Sequence, residues 1–172
     1  MQSDHDTARL FVTLWPDDAV RAALRAHRNA WQWPGTAKAV RSAKLHLTLH
    51  FLGSQPRTLL PALEAALAVP FSPFDLVFGH ADIWRQGAAV LEPLAVPDAL
   101  TDLHAALGQA LLSVGIPPEA RPFRPHVTMG RHARGAATGQ AMAAPIAWPV
   151  AGFALVESLP GHSGYAVLRH YP

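Results

Sequence analysis

Two short stretches carry the residue types that move protons. In Lys44-Leu45-His46-Leu47-Thr48-Leu49-His50-Phe51-Leu52-Gly53 a histidine is followed two places on by a threonine. Arg121-Pro122-Phe123-Arg124-Pro125-His126-Val127-Thr128-Met129-Gly130-Arg131 repeats the His-x-Thr-apolar pattern. Successive side chains of an extended chain point to opposite faces, so His46 and Thr48 share a face about 7 Å apart. An imidazole and a hydroxyl at that spacing can touch two atoms of one phosphate-sized group. Two such pairs allow phosphodiester chemistry without metal. Histidine titrates near neutrality, so a neutral ring can take a proton from attacking water while a charged ring gives one to the leaving oxygen. Thr48 and Thr128 would hydrogen-bond the non-bridging oxygens, and Arg131 would offset their growing charge. The absence of a phosphate-cradling Gly-rich loop pattern is consistent with this.

Each piece alone says little, because a strand histidine is more often a satisfied structural residue and threonine is common in strands. The weight lies in the duplication, each copy on a β-like run with basic neighbours. On the first run Leu45, Leu47, Leu49 and Phe51 fall on the face opposite His46, Thr48 and His50. Phe51, Arg124 and His50 join Thr48, Thr128 and Arg131 as candidate substrate contacts, with His46 and His126 as the catalytic pair. A metal cluster of His46, His50, His126 and His132 is disfavoured. Four residues of strand separate the first two by about 13 Å, and no carboxylate is close in sequence to either motif. No metal and no cofactor are expected.

The elements that must hold these residues can be read along 172 residues, the size of one domain, half of them hydrophobic. There is no cysteine, which excludes disulfides, thiolate nucleophiles and Cys-ligated metals. With a polar N-terminus and no apolar run of membrane-spanning length, the chain reads as soluble and cytoplasmic, with no membrane partner. The formal net charge is only +2. Arg121, Arg124, Arg131 and Arg134 crowd the second motif and Arg41 and Lys44 precede the first, which suits an anionic ligand.

Arg9 to Trp15 reads as a strand, and Asp17-Asp18 opens a helix running to about Asn29. A Pro-Gly loop follows, then the His46 strand, ended by Gly53 and Pro56. A helix is expected over Leu59 to Val69, and a hairpin pairs Phe74–Phe78 with Ala88–Pro93 around Arg85-Gln86-Gly87. Pro97 to Val114 has the clearest amphipathic period, with Leu100, Leu103, Leu107, Leu111 and Val114 on one face. After the His126 strand come a Gly/Ala-rich loop over Ala133–Pro145, a strand from Trp148 to Leu159, and a last strand from Tyr165 to Tyr171 across Pro160-Gly161-His162-Ser163-Gly164. The expectation is an α+β fold, residues 1–172 forming one domain. Its two pseudo-symmetric lobes have antiparallel sheets around a central cleft, helices outside, and one His-x-Thr motif per lobe.

These motifs, with Arg9-Leu-Phe-Val-Thr-Leu-Trp-Pro16 before them and Ser158 and Gly164-Tyr165-Ala166-Val167-Leu168 after, resemble the two-histidine (2H) phosphoesterase superfamily. Within it the chain is similar to the bacterial and archaeal RNA 2′,3′-cyclic phosphodiesterases, also called 2′-5′ RNA ligases. The resemblance covers nearly the whole chain. It implies two lobes about a cleft and hydrolysis of RNA or nucleoside 2′,3′-cyclic phosphates to 2′-phosphates, with reversible 2′-5′ joining of RNA ends in some members. It also implies that His46 is the acid protonating the 3′ oxygen and His126 the base activating water; spacing alone does not divide those roles. His50 stands where that family more often has a small or neutral residue, and Met129-Gly130 where Leu-Leu or Leu-Ala is commoner.

RNA ends or nucleotide 2′,3′-cyclic phosphates are therefore the expected partners, and a monomer the expected state. Two other readings stay open at this point. One is a cyclic phosphodiesterase for a small nucleotide such as ADP-ribose 1″,2″-cyclic phosphate; the other is a non-catalytic RNA-end-binding domain. Long RNA needs an open basic cleft, a small nucleotide a closed pocket.

Overall fold

The computed structural model describes residues 5–137, 144–161 and 163–172. The N-terminal residues 1–4, most of the expected Gly/Ala-rich loop (138–143) and His162 of the last expected turn lie outside the described residues. In chain order come β1 (Thr7–Leu14), α1 (Asp18–Asn29), β2 (Lys38–Ala39), β3 (Leu47–Pro56), α2 (Leu60–Ala66), β4 (Phe74–Ile83), β5 (Ala89–Pro93), α3 (Asp98–Ser113), β6 (Val127–Arg131), β7 (Ile146–Val150), β8 (Phe153–Ser158) and β9 (Tyr165–Tyr171). Helix α1 starts where the sequence signals it, with the Asp17 carboxylate accepting from the Val20 N–H at 2.8 Å. Its Val20, Leu24 and His27 are buried. Among the described residues no helix is long and apolar enough to cross a membrane.

The strands pair antiparallel in the order β7-β4-β5-β6-β3-β1-β8-β9, with β2 added to β6. At the centre β3 and β6 meet at a single paired position, Leu47 opposite Val127. The sheet is thus two four-stranded halves, each with its His-x-Thr strand innermost. Leu10, Val12 and Leu14 of β1 face a core cluster that continues under both halves, through Leu76, Phe78, Val127 and Trp148, and takes in helix residues Leu24, Leu100 and Leu107. On the opposite face Phe11 packs with Ala154 and Val156, flanked by Trp15 and Tyr165. One face of the sheet therefore carries the helices and the other carries the cleft.

Two expectations of order are corrected. The run from Trp148 to Leu159 is two strands: β7 pairs with β4 and β8 with β1, in opposite halves of the sheet. The crossing falls at Ala151-Gly152, where a Cβ on Gly152 would collide with the Tyr171 carbonyl. Pro149 is tolerated because β7 is an edge strand. The halves are also not consecutive stretches of chain. The β4–β5 hairpin joins the second motif, while β8 and β9, at the C-terminus, complete the first. Periodicity reports which segments are strands, not which strand each one joins. Strand β4 runs beyond the expected Phe78 to Ile83 by way of a bulge at Gly79, and α2 is shorter than expected, behind a 3₁₀ turn at Arg57–Leu59.

The unusual Gly130 of the second motif has a local cause. A Cβ there would lie 2.5 Å from the Trp33 ring and 3.2 Å from the Lys38 carbonyl, because β2 pairs with β6 at this position and Trp33 packs against it. Overpacking of this kind costs about 1–3 kcal/mol. Gly130→Ala is expected to lower unfolding free energy by that amount in urea melts, whereas a Cβ at Gly35 meets nothing within 4 Å and Gly35→Ala should leave the midpoint nearly unchanged.

Candidate active site

His46 and His126 each stand one residue before the pair Leu47–Val127 that joins the halves. That single bridge brings two residues distant in sequence to the same cleft. The local geometry is duplicated as well. The Nδ1–H of His46 donates to the Lys44 carbonyl at 2.6 Å, and that of His126 to the Arg124 carbonyl at 2.7 Å. A carbonyl oxygen only accepts, so each ring carries its proton on Nδ1 and presents Nε2 as the exchanging atom. At His46 the Nε2 lies 3.0 Å from the Thr48 Oγ. Thr128 follows His126 on β6 and lines the same cleft.

The cleft has a volume of about 1040 Å³. Its walls carry Arg9, Lys38, Arg41, Lys44, Arg121, Arg124 and Arg131, half of the chain's 14 Lys and Arg, against one carboxylate, Glu119, among the described residues. Net charge hides this concentration. His46 is walled by Phe11 at 4.9 Å, Tyr165 at 5.4 Å and Trp15 at 6.2 Å between ring centres, and Trp84 lies 4.4 Å from His126. Burial pushes His46 down to about 4, with the cations Arg21 and Arg131 adding to the shift and the Lys44 carbonyl opposing it. His126 is lowered for the same first reason, while the Arg124 carbonyl and the Glu92 carboxylate pull it back up. Both rings are therefore neutral at neutral pH in the ligand-free protein, and an incoming anion would favour their charged forms.

Arg131 is exposed at the cleft, and its charge acts on both histidines. Arg124 lines the cleft too, but its guanidinium is held by Glu92 and Asp82. The face assigned to His50 and Phe51 is corrected. Thr13 pairs with Thr48, Val12 with His50 and Phe11 with Phe51, so Leu49 is an extra residue bulged out of register. The bulge reverses the alternation. Phe51 turns to the cleft, 40% exposed under the Arg9 guanidinium, while His50, 5% exposed, leans toward α3 and borders the cleft from there. There its Nε2 hydrogen-bonds the His104 carbonyl at 2.8 Å, and the ring stacks on His104, which stacks on Phe123.

Residues that spacing did not single out complete the site. Arg21 of α1 donates to the Ser42 and Leu45 carbonyls at 2.7 and 3.0 Å, securing the turn before His46, and lies 4.8 Å over Trp15. Its only signal is a basic residue on an amphipathic helix. Glu92 is a charge inside the apolar run Ala89–Glu92, and that oddity could have marked it. Among the described residues, the group with metal-ligand spacing is His80, Asp82 and Glu92 rather than the two motif histidines.

The 2′-5′ RNA ligase superfamily profile matches residues 15–161. The chain is 33% identical to the RNA 2′,3′-cyclic phosphodiesterase of Thermus thermophilus over 179 aligned residues, 95% of this chain and 89% of that one. It superposes on E. coli LigT complexed with 3′-AMP with a TM-score of 0.81, 25% identity, and 96% and 98% of the two chains covered. A solved phosphoesterase gives a TM-score of 0.82 at 25% identity, over 96% of this chain and 98% of that one. The fold is that of a two-histidine phosphoesterase. The chain belongs to the 2′-5′ RNA ligase superfamily.

The depressed histidines give a pH signature with a definite sign. His27, His46, His50, His104 and His126 all lie below the ordinary 6.5 in the folded protein. As pH falls from 6.5 toward 4, the unfolded chain binds protons that the native state refuses, so stability must fall. Urea melts are expected to show that decline. Proton–carbon NMR should place the His46 midpoint near 4 in the free protein, higher once inorganic phosphate is bound; a His46 midpoint at 6.5 without ligand would contradict the burial argument.

Proposed function

We propose that the chain is a metal-independent RNA 2′,3′-cyclic phosphodiesterase acting by paired-histidine acid–base catalysis. The observation that carries this is the duplicated geometry. Two imidazoles with Nδ1 tied to a carbonyl and Nε2 left to carry the exchange stand at one junction, each with a threonine two residues on, and at His46 that threonine's hydroxyl meets Nε2. The name of the Thermus thermophilus relative and the 3′-AMP bound to E. coli LigT support the substrate class.

In the reaction a water oxygen attacks phosphorus and the bond from phosphorus to the 3′ oxygen breaks. Following the family's division of roles, His126 Nε2 takes the water proton, and His46 Nε2, charged on substrate binding, gives its proton to the departing 3′ oxygen. A 2′-phosphate and a 3′-hydroxyl result. Thr48 and Thr128 hold the non-bridging oxygens, and Arg131 balances the charge gathering on them. The phosphate anion supplies what His46 lacks in the free protein, because a nearby negative charge favours the imidazolium. A 5′-hydroxyl RNA end in place of water would yield a 2′-5′ linkage from the same groups.

The open cleft and its seven cations favour an RNA end over a small closed-pocket nucleotide. Phe51 offers a ring on which a base can stack, backed by Arg9. We take residues 1–172 to act as a single two-lobed domain, monomeric and cytoplasmic.

The test is turnover of 2′,3′-cyclic AMP and of a short RNA ending in 2′,3′-cyclic phosphate, in EDTA. A 2′-phosphate product by phosphorus NMR is expected, with His46→Ala and His126→Ala each losing about 10²–10⁴-fold in kcat. The RNA substrate's kcat/KM should fall steeply with salt while that of cyclic AMP falls less. Turnover only on adding metal would overturn the mechanism, and tight binding of 2′-phosphorylated RNA without turnover would make the chain a binding domain.

A further inference from the structure

Beneath the wall of the cleft, the β4–β5 hairpin gathers three ionisable side chains. His80 and Glu92 are cross-strand partners with Nε2 and Oε2 3.6 Å apart, and Asp82 stands two residues beyond His80 on the same strand. Their nitrogen and oxygen atoms all lie within 4.8 Å of one another. Such a set could hold a divalent cation, but a guanidinium already fills it. Arg124 reaches Glu92 with two prongs, Nε to Oε1 at 2.5 Å and Nη2 to Oε2 at 3.2 Å, and its Nη2 is 3.7 Å from Asp82. Glu92 is only 8% exposed, and a carboxylate so placed needs a fixed partner. The pair therefore determines where Arg124 sits.

Arg124 then acts on the cleft at two points. Its guanidinium lies 4.6 Å over Trp84, whose ring packs 4.4 Å from His126. Its backbone carbonyl takes the Nδ1–H of His126. We propose that Glu92 is a positioning residue for His126, holding through Arg124 both the aromatic wall behind the ring and the carbonyl that sets its tautomer. The idea rests on the reading of His126 as a proton-transfer group; at His46 the corresponding arginine, Arg21, binds carbonyl oxygens instead.

Among the described residues, the titratable and charged groups around His126 are Glu92 from β5, Arg124 from its own loop, Arg131 from β6 and His46 across the junction, with Asp82 and His80 of β4 behind Arg124. Glu92 is the carboxylate that favours the imidazolium, and Arg124 and Arg131 oppose it. Taking the charge from Glu92 leaves Arg131 unopposed and Arg124 with Asp82 alone, so His126 should bind its proton less tightly.

Glu92→Gln keeps the shape and removes the charge. The experiment is an NMR titration of His126 in the wild type and in Glu92→Gln, with no substrate present, beside pH profiles for 2′,3′-cyclic AMP and thermal melts. The His126 midpoint is expected to fall by about half to one pH unit. The limb of kcat/KM governed by His126 should move down with it, and kcat should drop more than KM changes. Should Glu92→Gln fail to fold, Glu92→Asp, which withdraws the charge by one methylene, should give a smaller fall of the same sign. A lowered melting temperature with an unmoved His126 midpoint would overturn the proposal, because a merely structural glutamate predicts that result. The titration needs no turnover. A shifted midpoint in an inactive protein would count against the phosphodiesterase reading alone, and an active protein with an unmoved midpoint against this proposal alone.

Discussion

The structure depends on one backbone contact, the pairing of Leu47 with Val127 where two four-stranded halves meet. Both residues are fully buried, so their side chains anchor the junction from the core side while the residues just before them face the cleft. A single paired position cannot by itself hold two halves in register. The common core beneath does that, through apolar residues shared between β1, β3, β6 and β7. The histidines thus sit at the point where two rigid sheets converge, each on the first turn of chain outside a strand. Proton-transfer groups held to fractions of an ångström by packing, with their rings fixed by carbonyl hydrogen bonds, are what acid–base catalysis requires.

That placement has an electrostatic consequence. Aromatic walls and surrounding cations disfavour the charged form of both rings, most strongly at His46. A site of this kind carries its positive charge on arginine and lysine, which cannot serve as acid or base near neutrality, and leaves the imidazoles neutral until an anion arrives. A bound phosphate would then supply the negative charge that favours the imidazolium. The two halves differ in how that balance is set: carboxylates bind the Arg124 guanidinium directly, whereas the Arg21 guanidinium donates to carbonyl oxygens. A near-symmetric fold can in this way give two like residues unlike proton affinities, burial acting first at both and the Glu92 carboxylate opposing it at His126 alone.

Much of this was legible in the chain itself. His46, Thr48, His126 and Thr128 announce themselves by residue type and repeated spacing, because a strand's two-residue period is strict wherever pairing is regular. Asp17 marks the start of α1, and the leucine period marks α3, for equally local reasons. The strict alternation through His50 and Phe51 fails because one bulged residue, Leu49, reverses the period, so that Phe51 reaches the cleft and His50 leans toward α3 at its border; a bulge is decided by the partner strand β1 rather than by the bulged residues. The split between β7 and β8 escaped for a related reason, since a β-rich run looks the same whether it serves one sheet half or two.

The sequence by itself determined the chemistry available here: two imidazoles, two hydroxyls, a supply of arginine, no thiol, and strands on which to mount them. Composition and local period are properties of neighbours along the chain. Only the tertiary structure decided that β8 and β9 close the first half and β4 and β5 the second, that half of the cationic side chains converge on one cleft, and that Glu92 lies beneath Arg124. Those facts come from pairing and burial between segments far apart in sequence, where the free energy belongs to the contact and to neither segment alone.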